Sequence, residues 1–460
     1  MSFVTKTNIE SKLQTQITNL TTSCSSADVL LLSMADNQLD PSHTISSECC
    51  FPCLMRLDLS TIPNGQIIYE PTLGVPAIEC GSNLYGLDGR LITPSISRQL
   101  WGWGNGRSLG SNNSFATSPT RECCNSTNWC SVAVSSTATY ALKTDGGLWT
   151  TGNENAGQLG NGISGYGLKF TFIREFCSSN DWTRVSGSAG TGMAVKTNGT
   201  LWGWGSNGGK LGNGNTATSC SPIQEFCSAT DWSRVSIGQD HSTAIKTDGS
   251  LWAWGLNACG QLGIGNVLTR CSPVREICSA TNWCQVSAGQ CYTLAIKTDG
   301  SLWGWGHSGP LATSTGTICS PAREICSATN WCCVASGGGS VAAIKTNGTL
   351  WTWGCNCCGQ LGTGNLTDRI TPVQEICSAT NWCTASTVND PYLCNVAVHA
   401  IKTDGTLWGW GYNGCGLLGN SVYTACSRPV RESSSASDWV CVVTGSDHAH
   451  AIKYVYSVNR

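Results

Sequence analysis

Twenty-nine cysteines and six histidines are the side chains of this 460-residue chain best equipped for chemistry. Thiols can pair as disulfides, hold soft metal ions or act as nucleophiles, and imidazoles can ligate metal or move protons near neutral pH. The cysteines are periodic. Cys124 and Cys130, Cys278 and Cys284, Cys326 and Cys332, and Cys377 and Cys383 each bracket an Asn-Trp pair with five intervening residues. At Thr183 and Ser233 the second member is missing, while the first persists as Cys177 and Cys227. These four pairs are candidate disulfides; buried reduced thiols and metal ligation are the alternatives, the spacing being unlike a zinc knuckle. Another set, Cys220, Cys271, Cys319 and Cys426, opens a strand-like run. Cys50 and Cys53 form a single Cys-x-x-Cys beside Cys49 and Cys80; zinc or redox chemistry would need a different context, so a local disulfide is the plainer expectation.

The histidines, His43, His241, His307, His399, His448 and His450, sit at different points of the chain, outside any hydrolase or metal-protease motif. His448 and His450 fall on one side of a regular strand, an arrangement that is more often structural than metal-binding. The glycine-rich stretches lack Gly-Lys-Ser/Thr and open strands instead of helices, so they read as turns. The expectation is a non-enzyme with no catalytic residues, no metal site and no cofactor.

The elements that position these residues come from a repeat of about fifty residues. Leu-Trp recurs at Trp101, Trp149, Trp202, Trp252, Trp303, Trp351 and Trp408, and Asn/Asp-Trp at Trp129, Trp182, Trp232, Trp283, Trp331, Trp382 and Trp439. Between them lie two apolar alternations joined by Thr-Asp-Gly or Thr-Asn-Gly, a pair suited to hairpin turns with left-handed positions. A glycine-rich loop such as 257–266 and a fourth run, 272–277, complete the unit. Four antiparallel strands make one propeller blade. The first Leu-Trp strand lacks its partner, and so does the last Ala-Ile-Lys strand, so Leu100-Trp101 should pair with Ala451-Ile452-Lys453. The fold class expected is all-β, a seven-bladed propeller closed by pairing of N- and C-terminal strands; an open solenoid is the alternative. Before the propeller (98–460) come a segment 1–45, whose Ile9, Leu13, Ile17 and Leu20 suit an amphipathic helix for self-association or attachment, and a small β module, 46–97.

These motifs resemble the regulator-of-chromosome-condensation repeat family, most clearly at Trp254-Gly255-Leu256-Asn257-Ala258-Cys259-Gly260-Gln261-Leu262-Gly263 and at Trp353-Gly354 through Gly362. The resemblance spans about residues 98 to 455 and implies a seven-bladed propeller. The Thr-Asp-Gly-Ser/Thr-Leu-Trp-x-Trp-Gly wording is more similar to repeat proteins of bacteria and bacteriophage virions. Two function classes follow. One is a virion structural or adhesion protein, a phage tail or fibre component attached to other virion proteins by its first segment and binding a host surface protein or glycan. The other is a cellular or secreted interaction scaffold or nucleotide-exchange factor, as the family resemblance implies. A tryptophan-based light sensor would need clustered Trp and Arg at a dimer face, whereas packing accounts for the tryptophans.

Only 12% of residues are charged and net charge is near −2, without a basic tail, so nucleic-acid binding is not expected. Met1 to Lys12 lacks a continuous apolar stretch, predicting no secretory leader, and 29–32 is too short to span a bilayer. The localisation expected is the virion, or alternatively the extracellular space or cell surface. Alternating turns place the Thr-Asp-Gly hairpins and the near-identical Cys-Ser-Ala-Thr-Asn-Trp loops at one end of the ring. The other end carries the glycine-rich loops, the turns after the first strands and an insertion, 388–396. Tyr166, Tyr292, Tyr392, Tyr412, Tyr423, His241 and His307 fall there as ligand-binding candidates, because aromatic side chains on variable loops suit recognition.

Overall fold

A computed structural model describes residues 67–70, 75–80, 83–86, 91–106, 109–111, 115–307, 316–324, 326–388 and 396–459. The segment expected to be helical, and Cys49, Cys50 and Cys53, lie outside them. Two compact units divide the chain. In the smaller, Ile67–Glu70, Val75–Cys80 and Asn83–Gly86 pair antiparallel in sequence order, and the last pairs with the beginning of Leu91–Asn105 through Leu84↔Ile92.

The larger unit is a seven-bladed β-propeller of four-stranded antiparallel blades. In the third blade the strands are Trp232–Ile237, His241–Lys246, Leu251–Gly255 and Arg270–Arg275. First strands of successive blades adjoin all round the ring, the seventh meeting the first. That seventh blade takes Trp439–Thr444 and the beginning of His448–Asn459 from one end of the chain, and the end of Leu91–Asn105 and Phe115–Arg121 from the other. Closure leaves no sheet open at the seam.

The hairpin between second and third strands differs from a two-residue turn with two left-handed residues. Lys246 accepts at its carbonyl from the Gly249 amide (3.0 Å) and donates from its own amide to the Ser250 carbonyl (3.0 Å), so three residues form the loop. Gly249 alone among them has positive φ, +75°. Asp248 takes another role: its carboxylate accepts from the Ser250 amide at 2.8 Å and hydroxyl at 2.6 Å, and the same hydroxyl accepts from the Trp252 indole. A Cβ at Gly249 would stand 2.3 Å from the Thr281 carbonyl oxygen of the following loop, so glycine is required sterically as well.

Every junction between blades repeats one arrangement. The fourth strand is followed at once by a buried glutamate: Glu122, Glu175, Glu225, Glu276, Glu324, Glu375 or Glu432. Its Oε2 accepts the amide two residues on at 2.5–2.6 Å, and its Oε1 accepts the amide four residues on at 2.6–2.9 Å. Oε1 also accepts the indole N–H of the tryptophan that opens the next blade, at 3.2–3.4 Å. This holds the intervening loop in a tight coil with the third residue after the glutamate at positive φ, for example Ser279 at +50°.

A lysine caps each blade nearby. Nζ of Lys143, Lys196, Lys246, Lys297, Lys345, Lys402 and Lys453 lies 4.2–5.5 Å from the centroids of two tryptophan rings, a cation–π sandwich. For Lys453 those rings are Trp101 and Trp439, so the seam is fastened like every other blade. The second tryptophan of the third strand reaches backwards: the indoles of Trp204, Trp254, Trp305 and Trp410 donate to loop carbonyls of Gln158, Lys210, Gln261 and Gln360 in the preceding blade at 2.6–3.0 Å. Around the axis, hydroxyls of Ser186, Ser236, Ser287 and Ser386 accept amides of the next blade's first strand, satisfying edge groups that strand pairing leaves open.

The bracketing cysteines are not disulfides; no disulfide joins the described residues. Cys124, Cys278, Cys326 and Cys377 lie exposed in the interblade coil, whereas their expected mates occupy the first strand. There the thiols of Cys130, Cys284 and Cys332 donate to carbonyls of the second strand at 3.3–3.4 Å. Thr183 and Ser233 make the same bond with hydroxyls at 3.0 and 2.9 Å, which explains why they replace cysteine: the position needs a small donor. Cys383 is buried at the corresponding place.

Replacing Glu276 by glutamine keeps the shape but turns an amide group toward backbone donors. The junction should lose about 2–4 kcal/mol. Urea titration followed by tryptophan fluorescence would show a lower midpoint for E276Q; an unchanged midpoint would remove the carboxylate from its structural role.

Candidate interaction face

The two ends of the propeller are held differently. At the hairpin end, Trp182, Trp232, Trp283, Trp331, Trp382 and Trp439 donate their amides to the hairpin glycine carbonyl of the preceding blade at 2.9–3.1 Å. At the other end, amides of Asn105, Asn153, Ser206, Leu256, His307, Cys355 and Tyr412, at the entry to the glycine-rich loops, donate to the turn between the first and second strands at 2.7–2.9 Å. The loops and turns that diverge in sequence thus share one end.

An asparagine organises most of these loops from inside. Asn257 is fully buried; its Oδ1 accepts the Leu262 amide (3.0 Å), and its Nδ2 donates to the carbonyls of Asn266 (2.8 Å) and Leu268 (3.1 Å). Asn356 and Asn413 repeat the pattern. Beyond it a second asparagine makes a tight turn, Asn266 Oδ1 accepting the Leu268 amide at 2.9 Å. That turn pushes the residues after it outward. Ile163, Val267, Leu268, Leu366, Val422 and Tyr423 are exposed at these tips, Leu366 by 61% and Tyr423 by 58%. In the second blade the tip is polar, Asn215-Thr216-Ala217-Thr218.

The candidates named from sequence separate on this frame. Tyr166 is fully exposed between Gly165 and Gly167, and Tyr423 and His307 are also exposed. Tyr412 is half-buried against the core cluster of the sixth and seventh blades. Tyr292 and His241 are buried, so neither is a surface contact. Tyr292 donates its hydroxyl to the Gly337 carbonyl (2.8 Å) across the blade junction, and His241 Nε2 meets the Thr293 hydroxyl at 2.9 Å, so interblade packing uses both. Tyr392 lies outside the described residues. The aliphatic tips were missed, although Asn-Val-Leu at 266–268 and Asn-Leu at 365–366, each after Gly-x-Gly, mark two of them.

Buried ionisable groups lie beneath this end. Burial, with Lys210 beside it, lowers His241 to about 3; burial lowers His399 to about 4; and burial, with His448 beside it, lowers His450 to about 3. Lys210 stands where Gln158, Gln261 and Gln360 stand in other blades, and its Nζ donates to the Gln239 carbonyl at 2.8 Å. Burial lowers it to about 8, against the opposing pull of Asp240. Glu122, Cys123 and Cys124 offer ligand atoms within 4.8 Å of one another, but both oxygens of the Glu122 carboxylate already accept the interblade bonds.

Neutral buried histidines favour folding above their unfolded pKa near 6.5. Their contribution is lost as pH falls from there toward about 4 and then 3. Lys210 contributes in another window, its share falling as pH drops from 10.5 to about 8. Lys210→Gln should therefore raise stability at pH 7 and flatten the dependence between pH 8 and 10.5. Melting temperatures across pH 4–10.5 check this, and a wild-type slope retained in the variant would contradict it.

The regulator of chromosome condensation (RCC1) repeat profile matches residues 198–245, 248–296 and 347–382, and a second profile of the same repeat matches 232–261. Three solved structures superpose on 78% of the chain. They are yeast RCC1 (Prp20) bound to Kap60 (TM-score 0.68, 16% identity, 89% of that chain), Prp20p from Saccharomyces cerevisiae, described with its binding to Gsp1p and histones (0.68, 16%, 91%), and human WBSCR16 (0.66, 19%, 99%). At these identities the likeness is one of fold. Its second, third and fifth repeats thus match the RCC1 repeat in part or whole, and the ring folds as an RCC1-like seven-bladed propeller.

Proposed function

We propose that this chain is a protein-interaction scaffold whose binding surface is the end formed by the glycine-rich loops and the turns between first and second strands. The observation that carries the reading is the row of exposed apolar tips, Ile163, Leu268, Leu366 and Tyr423, on loops whose bases are locked by buried asparagine or backbone bonds. Rigid loops with exposed apolar ends lose little entropy on binding and gain by leaving water. The solved relatives that bind Kap60, or Gsp1p and histones, use the same fold, which supports a partner of protein class without naming it.

A second reading keeps the same surface and changes the ligand. Tyr166 is fully exposed and Tyr423 largely so, and such rings stack well on sugar faces, as a virion-borne or cell-surface glycan binder would require. In that case the segment 1–45 would attach the propeller to its particle.

A triple variant, Ile163→Ser, Leu366→Ser, Tyr423→Ser, should fold with an unchanged melting temperature and lose the proteins captured by the wild type. A hairpin-end variant, Asp299→Asn, should keep them. Equal capture by all three would refute the assignment of the face. Binding of the wild type to immobilised glycans, lost in Tyr166→Ala with Tyr423→Ala, would favour the second reading.

A further inference from the structure

At each junction the glycine-rich loop of one blade lies against the turn between first and second strands of the next. The third-strand glycine shows this: a Cβ on Gly205 would lie 2.3 Å from the Gly190 carbonyl oxygen and 3.2 Å from Gln158 Cα, and one on Gly411 would lie 2.4 Å from the Val396 oxygen and 3.3 Å from Gln360 Cα. Between the third and fourth blades, Gln261 accepts at its carbonyl from the Thr293 hydroxyl (2.8 Å) and from the Trp305 indole (2.9 Å). Two residues before each of these anchors stand Cys259 and Cys291, both half-buried, so the bond between the anchors brings the two cysteines to facing positions, and Cys259 is an electrostatic neighbour of the Cys291 thiol.

Register identifies the same two places elsewhere. The turn position precedes the residue paired with the third-strand glycine: Gly190 before Thr191↔Gly205, Asp240 before His241↔Gly255, Cys291 before Tyr292↔Gly306, Gly339 before Ser340↔Gly354, Val396 before Ala397↔Gly411. The facing loop position holds Ala156, Cys358 and Cys415 in the first, fifth and sixth blades. Cys415 lies within electrostatic reach of Asp447 in the seventh blade's turn, so the two positions face each other there too. Among the described residues, only the junction of the third and fourth blades has a thiol on both sides.

We propose that Cys259 and Cys291 are an oxidation site, converted by a low-molecular-weight disulfide of the glutathione class into a reversible interblade disulfide. The thiolate of Cys259 attacks one sulfur of the oxidant, giving a mixed disulfide and one reduced thiol. Cys291 then loses its proton, its sulfur attacks Cys259 Sγ, and the second thiol leaves. The two protein thiols are oxidised, the oxidant is reduced to two thiols, and the two protons go to them. Burial and the neighbouring Cys259 push the Cys291 thiol up to about 11, so it stays protonated at neutral pH until the second step. The bond would tie the third blade's loop to the fourth blade's turn at the divergent end of the ring. The inference is independent of what that end binds.

The test is peptide mapping of the full-length protein, incubated with oxidised glutathione, alkylated and digested without reductant. The expected product is a cross-linked pair of peptides carrying Cys259 and Cys291, reversed by dithiothreitol. In Cys291→Ser it should be replaced by glutathionylated Cys259. The oxidised wild type should melt about 3 °C higher than the reduced form, a shift absent from the variant. Alkylation of both thiols in the wild type after equilibration, or a link from Cys259 to another cysteine, would overturn the proposal without reliance on the variant's folding.

Discussion

A buried glutamate accepting three hydrogen bonds is the constraint from which the ring follows. A carboxylate removed from water is costly unless its oxygens are satisfied, and here two backbone amides and one indole N–H satisfy it at each of seven junctions. The bonds fix the path of the coil between blades, and the indole they hold is the first residue of the next blade. Glu122 and Trp129 make the same contact between the seventh and first blades, so the angular step set by one junction recurs until the ring closes. The lysine sandwiches then cap each blade from within, and the backward-reaching indoles pack it to its neighbour.

That repetition also explains how the two ends can differ. At the hairpin end, the glutamate, the lysine, the turn glycine and the loop carbonyl that meets it occupy a shared space, so substitution is restricted. At the other end the buried asparagine needs only backbone partners within its own loop. Residues beyond it are free to change, and they are where exposed apolar side chains collect. The exposed tips thereby vary from blade to blade while their bases stay fixed.

Much of the fold was legible because the indoles recur with strand spacing and the orphan strands at Leu100 and Ile452 complement each other. The small residue after Leu-Trp is legible in hindsight: Gly409 faces His399, Gly203 faces Met193 and Gly304 faces Leu294, whereas Thr352 faces Ala342; the first blade departs from this balance, with Thr150 facing Tyr140. The glutamate junction stays hidden within the fourth run, 272–277, since nothing in a sequence shows that a carboxylate will be buried. The cysteine brackets misled because equal spacing was taken for pairing, while Thr183 and Ser233 already pointed to a hydrogen-bond donor. Among the surface candidates, Tyr292 and His241 could not be told from Tyr166 and Tyr423 without knowing which turn residue faces inward.

Seven equivalent carboxylate–indole bonds make the ring one cooperative unit. Hydrogen exchange of the indole N–H groups, followed by NMR on protein labelled with nitrogen-15 tryptophan, tests it directly. The account predicts that Trp129, Trp182, Trp232, Trp283, Trp331, Trp382 and Trp439 exchange slowly and together, with the free energy of global unfolding. Fast exchange at Trp129 and Trp439 with slow exchange elsewhere would show that the seam opens alone, and would contradict it.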